Sequence, residues 1–352
     1  MSALPALRRL PAPPDRGGGP DDTPRRARGP ALPPVLARSA RLILAWVILA
    51  ALLAIYIQES PRFGPREQRS VANQGMPLAI VGFGQTAVVL TGGIDLSVGS
   101  MVSLSNGVAS RLADPDRPRS SMWLASIAAL LVGTIGGAVN GLLVAYARLQ
   151  PIIVTLATSY VFLGLALYVR PEPGGSVPLG FTDFWTGLMI DRQYPRSIVL
   201  LVALVLLWVV FRRTRLATRI YAVGSSEGAA FMSGVDVART KVIAYTMAGL
   251  AASAAGLFLT AQTATGDVRA GDPYTLNSVA AVVLGGASLA GGAGTYVGTV
   301  AGAYVISLIP RVLFFYDVSP FYQQFYQGLI LLGSVALGAL GVLRMRNRLD
   351  RL

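Results

Sequence analysis

The side chains that most enzymes use for chemistry are missing from this sequence. It has no histidine and no cysteine, which excludes imidazole acid–base catalysis, thiolate nucleophiles, disulfides and His/Cys metal sites. Lys241 is the only lysine, and its Arg-Thr-Lys-Val context is not the Gly-Lys-Ser/Thr of a Walker phosphate-binding loop. We therefore expect no catalytic residue, no cofactor and no metal site. If the protein uses ATP, another chain must supply the ATP site.

Asp95 is the one acid in an otherwise uncharged stretch, residues 70–110. An ionisable group at membrane depth is a functional candidate by default, so direct contact with a substrate or proton is one interpretation. Asp95 also follows Gly92-Gly93 and precedes Leu96-Ser97-Val98, where the N-cap of a new helix belongs. We favour this second interpretation, in which Asp95 caps a helix after a break.

The composition is that of a membrane protein. Charged residues make up 13% of the chain, hydrophobic residues 53%, and the mean hydropathy is +0.57. The uncharged runs are 42–58, 70–94, 96–110, 120–147, 149–169, 197–211, 242–266, 273–310 and 318–343. The run 273–310 is long enough for two crossings and is interrupted by glycines. We expect an all-α polytopic membrane protein with about ten transmembrane helices; because two runs are short, eight helices plus re-entrant segments is the alternative.

The positive charge is predicted to lie on one side of the membrane. With ten helices, the side that holds both termini carries 19 of the 30 basic and six of the 17 acidic residues, whereas the opposite loops carry ten of each. This is the positive-inside pattern, and it predicts that both termini are cytoplasmic. The net charge of +13 is thereby explained without a nucleic-acid partner, and we expect none.

The chain divides into three parts by composition. The first 34 residues contain nine prolines, four glycines and six arginines, so we expect 1–40 to be a disordered cytoplasmic tail. The transmembrane domain is expected at 41–343, with its longest cytoplasmic connection at 212–241. A short basic cytoplasmic tail, 344–352, follows.

Two segments of the chain look alike. One reads AVVLTGGIDLSVG from Ala87, and the other reads AVVLGGASLAGG from Ala281. Each places a glycine pair shortly after the same four residues, which favours two pseudo-repeated halves. Paired, glycine-interrupted apolar segments are the best indication in a sequence of a transport path.

Four stretches together resemble the ribose-type (monosaccharide) permeases of ABC importers, within the branched-chain amino-acid/ribose permease superfamily. They are LTGGIDLSVGS (90–100), LQPIIVTLAT (149–158), YAVGSSEGAAFMSGV (221–235) and AAVVLGGASLAGG (280–292). The resemblance implies import of a pentose, hexose or related polyol by ATP-driven alternating access in the bacterial inner membrane. It also implies a separate ATPase, a periplasmic or lipid-anchored sugar-binding protein and a second permease copy, identical or paralogous. The Pro/Arg-rich N-terminal tail and the outward loop 170–196 depart from the family pattern, so the resemblance does not identify the particular sugar.

A short helix is predicted within the loop 212–241. Ser226 is a plausible N-cap, Glu227 suits the positive end of the helix dipole and Gly234 suits the stop. The predicted coupling element, which would dock into a groove on the ATPase, comprises Ser226, Glu227, Gly228, Ala229, Ala230, Phe231, Met232, Ser233 and Gly234. The residues alone equally fit an amphipathic helix lying on the membrane lipid, to which the basic start of the loop can anchor. The resemblance favours coupling.

The helix breaks and nearby polar residues are candidates for the translocation path. They are Gly92, Gly93, Asp95, Ser97, Gly99, Asn277, Gly285 and Gly286. Uncharged polar residues in the helices, such as Asn106 and Asn140, could bind a passing sugar, but each one alone is better explained as a hydrogen bond between helices.

Other functions fit the sequence less well. A nucleoside or branched-chain amino-acid permease of the same superfamily is the nearest alternative, although a charged ligand would need charges in its path. An ATP-independent secondary transporter or channel would need titratable groups within the membrane, where Asp95 stands nearly alone. An intramembrane enzyme is disfavoured because His, Cys and paired carboxylates are absent from the helices.

Overall fold

The computed structural model is mostly helical, as predicted. It describes residues 34–60, 63–189 and 194–323, and then 325–326, 328–329 and 332–333. The helices are α1 (Pro34–Glu59), α2 (Pro65–Leu90), α3 (Val98–Leu112), α4 (Pro118–Ala145), α5 (Pro151–Val169), α6 (Leu179–Thr186), α7 (Arg196–Phe211), α8 (Arg215–Ser225), α9 (Glu227–Met232), α10 (Val237–Thr263), α11 (Asp272–Leu284) and α12 (Tyr296–Phe315). Two short strands, β1 (Leu188–Met189) and β2 (Tyr194–Pro195), form a hairpin.

The described helices do not establish the predicted count of ten crossings. Five of them are long and apolar enough to cross a membrane alone, namely α4, α5, α10, α12 and the Arg41–Glu59 part of α1. The pair α7 and α8, bent by 77°, makes a sixth if it is one broken span. The predicted runs 96–110 and 273–310 contain α3 and α11, whose 15 and 13 residues are too few to cross alone. The run 318–343 lies mostly outside the described residues.

The predicted disordered tail is only partly within the described residues. Residues 1–33 lie outside them, and so does the basic tail 344–352. The helix α1 begins at Pro34, within the predicted tail 1–40, whose disorder stays a prediction.

The core of the bundle forms around α10, which packs against α4, α2 and α3. Glycines allow the closest of these contacts. A Cβ atom on Gly249 of α10 would collide with the backbone of Gly133 and Gly137 of α4. Small residues at helix crossings let membrane helices approach closely, which compensates for the weak hydrophobic drive between helices in lipid.

The outer faces of the bundle are apolar. Trp123 on α4, Tyr160 on α5 and Val210 on α7 are all exposed. In water such apolar faces would promote aggregation, but helices that face lipid require apolar side chains on their surface.

The two ends of the bundle differ. At one end, which we name the α8–α9 end, α2 and α4 finish and α10 begins. At the opposite end, the ion pair between Arg196 and Asp183 (3.3 Å) links α6 to the start of α7. At that end a backbone bridge also joins Gly174 to Gly266, with both hydrogen bonds at 2.9 Å.

Candidate coupling and translocation site

The helix predicted between Ser226 and Gly234 is present. Ser226 is the N-cap of α9, and its Oγ accepts a hydrogen bond from the N–H of Ala229 at 3.3 Å. This bond satisfies one of the amide groups that a helix start leaves without an intrahelical partner. Gly234 has φ +78°, a left-handed conformation that suits glycine and ends the helix.

The helix α9 presents an apolar surface outward. Ala230 is buried, whereas Phe231 and Met232 are 70% and 85% exposed. Gly228 and Ala229 are exposed, and no atom of the described residues would lie within 4 Å of a Cβ on Gly228. Large apolar side chains in full contact with water are unfavourable in an isolated chain, so this surface is suited to a partner.

The single lysine holds α9 against α10, a contact that the sequence analysis missed. The ammonium group of Lys241, in the second turn of α10, pairs with the carboxylate of Glu227, the first residue of α9. The two residues are 14 positions apart, and no local spacing rule joins them. Glu227 therefore has an anchoring contact beyond the predicted interaction with the helix dipole.

The two glycine-rich helix breaks have the same backbone geometry. After α2, the N–H of Gly92 bonds to Val89 O at 2.9 Å and the N–H of Gly93 bonds to Val88 O at 3.2 Å. After α11, the two residues that follow Gly285 repeat the pattern: Gly286 N–H bonds to Val283 O at 2.9 Å and Ala287 N–H bonds to Val282 O at 3.1 Å. This pair of bonds is a Schellman motif, and its left-handed position is taken by Gly92 (φ +82°) and Gly286 (φ +90°). Because α9 ends in the same way at Gly234, the matching ends do not test the repeat, which stays a prediction.

The two breaks meet each other and α8. The N–H of Gly292, after the second break, donates to Leu90 O, at the end of α2, at 3.0 Å. Gly224 of α8 packs at this point so closely that a Cβ would collide with Leu90 O and Gly292 N. The hydroxyl of Tyr221, one turn earlier on α8, donates to Gly294 O at 2.7 Å.

The structure corrects the predicted role of Asp95 as an N-cap. Ser97 occupies the N-cap position of α3, and it forms no side-chain capping bond. Asp95 instead accepts two bonds from Ser97 on Oδ1, from the main-chain N–H at 2.8 Å and from the hydroxyl at 2.6 Å. Asp95 therefore stabilises the turn that precedes the helix rather than its first amides, an arrangement that Asp side chains commonly form.

A buried polar cluster surrounds Asp95. Asn140 of α4 donates through Nδ2 to the hydroxyl of Ser97 at 2.7 Å. The hydroxyl of Tyr245 of α10 lies so close to Gly93 that it would collide with a Cβ there. Asp95, Ser97 and Asn140 are fully buried, so the cluster ties the first break to α4 and α10 inside the bundle.

The remaining path candidates differ in the contacts that they make. Gly99, in the first turn of α3, lies against Gly271 and Thr275 at the start of α11, and a Cβ on Gly99 would collide with both. Asn277 of α11 is half-buried and makes no side-chain hydrogen bond within the described residues. Asn106 bonds to Thr260 Oγ1 at 2.8 Å, and therefore acts as a contact between helices.

Comparison with known proteins identifies the family. Residues 69–335 match the family described as "Branched-chain amino acid transport system / permease component". The chain belongs to this permease family. The apolar helices and the family together indicate a multi-pass inner-membrane protein that is a transport subunit rather than an enzyme.

Curated relatives cover most of this permease. It is 40% identical over 273 residues to the ribose import permease protein RbsC of Bacillus subtilis, covering 76% of this chain and 82% of the relative. It is 35% identical over 297 residues to RbsC of Escherichia coli K12, covering 82% and 91%. Identity to the galactose/methyl galactoside import permease protein MglC of the same strain is 29% over 318 residues, covering 86% and 95%. No solved structure matches this permease.

Proposed function

We propose that this permease is the membrane subunit of an ABC importer that moves a monosaccharide into the cytoplasm. The similarity to ribose and galactose import permeases supports the substrate class. The observation that carries the transport mechanism is the contact of α8 with both helix breaks at Gly224. An ATPase chain, a sugar-binding protein and a second permease copy complete the proposed assembly.

The proposed coupling path starts at α9. Phe231 and Met232 insert into a groove on the ATPase, as an amphipathic helix inserts into an apolar groove. The Ser226 cap joins α9 directly to α8, so closure of the ATPase dimer on ATP moves both helices. Through Gly224 and Tyr221, α8 acts on the ends of α2 and α12. ATP hydrolysis and ATPase opening reset the path.

The same proposal sets the orientation. The α8–α9 end faces the cytoplasm, where the basic loop 212–241 meets the ATPase. The opposite end, with α6 and the β1–β2 hairpin, faces the binding protein. Both chain termini are cytoplasmic, and the polypeptide makes about ten crossings, with α3 and α11 as short, protein-buried segments.

Transport of branched-chain amino acids is the alternative that the family description favours. A zwitterionic ligand needs both a cationic and an anionic partner when it leaves water. Among the buried residues that the structure describes, Asp95 is the only charged type, and its Oδ1 is already bonded within the chain. An uncharged polyol does not have this requirement, and we therefore favour the sugar.

Uptake measurements distinguish the two substrates. Cells that lack their own importers would express this chain with its ATPase and binding protein, and would be offered labelled ribose, galactose, leucine and adenosine in turn. We expect uptake of a monosaccharide that depends on ATP hydrolysis by the ATPase. Uptake of leucine or adenosine without any sugar would overturn the proposed substrate class.

A further inference from the structure

A cavity of about 440 Å³ opens at the α8–α9 end between α1, α7, α8 and the second glycine-rich loop. Its lining consists of Leu42, Arg212, Tyr221, Gly285, Gly286, Gly292, Ala293, Gly294 and Thr295. The coupling path uses the glycine edge of this cavity, where Tyr221 is bonded to Gly294 and Gly292 is bonded to Leu90. Arg212 and Thr295, which also line the cavity, have no role in the proposed transport mechanism.

The groups around the cavity suit an anion. Arg212 is its one charged lining residue, and no acid lines it within the described residues. Arg212 makes no ion pair in the described part of the chain. The N–H groups of Ala293, Gly294 and Thr295, three further lining residues, have no acceptor among the described residues. Arginine together with unpaired main-chain amides is a recurrent combination for binding phosphate.

The first residues of α12 also contribute positive electrostatic potential at the cavity. Thr295 is the N-cap of this 20-residue helix but makes no side-chain capping bond. The Oγ1 of Thr295 is buried and has no partner in the part of the chain that the structure describes. The positive end of the α12 dipole therefore lies at the cavity, and none of the described lining residues is a carboxylate that could compensate it.

The surroundings of the cavity point to a lipid as the source of the phosphate. On α1, Ile43, Leu44 and Val47 follow Leu42 and are exposed. On α7, Val209 and Val210 precede Arg212 and are also exposed. A phosphate in the cavity would thus have lipid-facing surfaces on both sides, where acyl chains pack.

We propose that this cavity binds the phosphate group of an anionic phospholipid of the cytoplasmic leaflet, with Arg212 as its principal cationic contact. The leaflet assignment rests on the proposed orientation. The binding itself does not depend on transport. A lipid held there would contact the loop between α11 and α12, and would stabilise the arrangement in which Tyr221 is bonded to Gly294.

The test is a lipid titration of the purified full-length protein. Its thermal unfolding midpoint would be followed in detergent with added phosphatidylglycerol, with phosphatidylcholine of the same acyl chains and with inorganic phosphate. We expect a saturable rise with phosphatidylglycerol only. Arg212→Gln should raise the concentration for half-maximal effect about fivefold, as expected for the loss of one basic side chain's attraction to an anionic headgroup. Arg213→Gln removes the same charge one residue away, outside the cavity lining, and should titrate like the wild type.

Three results would overturn the proposal. They are an equal rise with phosphatidylcholine, equal behaviour of the two arginine variants, or an equal rise with inorganic phosphate, which would make the ligand a free anion. If Arg212→Gln does not fold, Ala293→Glu tests the same point, because a carboxylate in the cavity should abolish the lipid effect. A wild-type response of Ala293→Glu would contradict the proposal. Because the titration needs neither the ATPase nor sugar, its failure is separate from a failure of the proposed transport function.

Discussion

The N–H of Gly292 donates a 3.0 Å hydrogen bond to the carbonyl oxygen of Leu90, and this bond joins the two glycine-rich helix breaks. Gly224 of α8 packs at the same point. A displacement of α8 must therefore disturb the ends of both breaks together. This triple contact is the structural basis for the proposed route from α9 to the transport path.

Filling the contact at Gly224 should uncouple transport. In Gly224→Ala the added methyl group has no room beside Leu90 O and Gly292 N, and overpacking of this kind costs about 1–3 kcal/mol. We expect normal membrane insertion and at least a severalfold loss of sugar uptake. Gly164→Ala is the control, since none of the described atoms would lie within 4 Å of a Cβ at Gly164. Equal uptake by the two variants would contradict the role of Gly224.

The ion pair between Glu227 and Lys241 should orient α9. Glu227 is exposed, so the pair should contribute only about 0.2–1 kcal/mol to stability. We expect Glu227→Lys to leave folded yield unchanged but to weaken ATPase association by repelling Lys241. The double reversal, Glu227→Lys with Lys241→Glu, should restore association. Failure of the double variant to recover would show that Glu227 acts by itself rather than through Lys241.

Replacement of Asp95 should separate a structural role from a charge-dependent one. Asn retains a side-chain oxygen that can accept the bonds from Ser97, so Asp95→Asn should keep substantial uptake. Asp95→Leu leaves the Ser97 N–H without that acceptor, and a lost bond of this kind costs about 1–3 kcal/mol, so folded yield should fall. Uptake by membrane-inserted protein is the measurement. A fully inserted Asp95→Asn without uptake would point to a role for the charge.

Reporter fusions test the proposed orientation. Fusions at Arg148, Ala217 and the C-terminus should report a cytoplasmic location, because the basic residues concentrate on that side. Fusions near Pro115, Gly175 and Gly266 should report the periplasm. A periplasmic signal at Ala217 would overturn both the orientation and the coupling role of α9.

Local features of this fold could be predicted from the sequence, and long-range ones could not. Ser226 and Gly234 carry their own start and stop signals, and the AVVL-glycine segments predicted two breaks whose backbone geometry matches. The contact of Gly224 with Leu90 could not be predicted, because a glycine shows no preference for a partner 134 positions away. The pairing of Lys241 with Glu227 could not be predicted for the same reason, because no local pattern joins two residues 14 positions apart.

The error at Asp95 and the uncertain helix count have physical causes as well. Asp and Ser both suit an N-cap, so local preference could not decide between Asp95 and Ser97. Uncharged runs include buried polar segments as readily as lipid-facing ones. The helix α3 is such a segment, since Ser103, Ser105 and Asn106 are fully buried in protein.

The measurement that tests the central claim most directly is co-purification of the ATPase with Ala229→Glu. Ala229 lies on the open side of α9, so the variant should insert and fold normally. A carboxylate without a partner in a docked groove should cost several kcal/mol, and Gly228→Trp should add obstructive bulk there. Ala147→Glu, an equal change at another exposed alanine of the same end, is the control. The account predicts that Ala229→Glu loses both co-purification of the ATPase and sugar uptake, whereas Ala147→Glu keeps both. Equal recovery of the ATPase with the two variants, together with normal uptake, would show that α9 is not the coupling element.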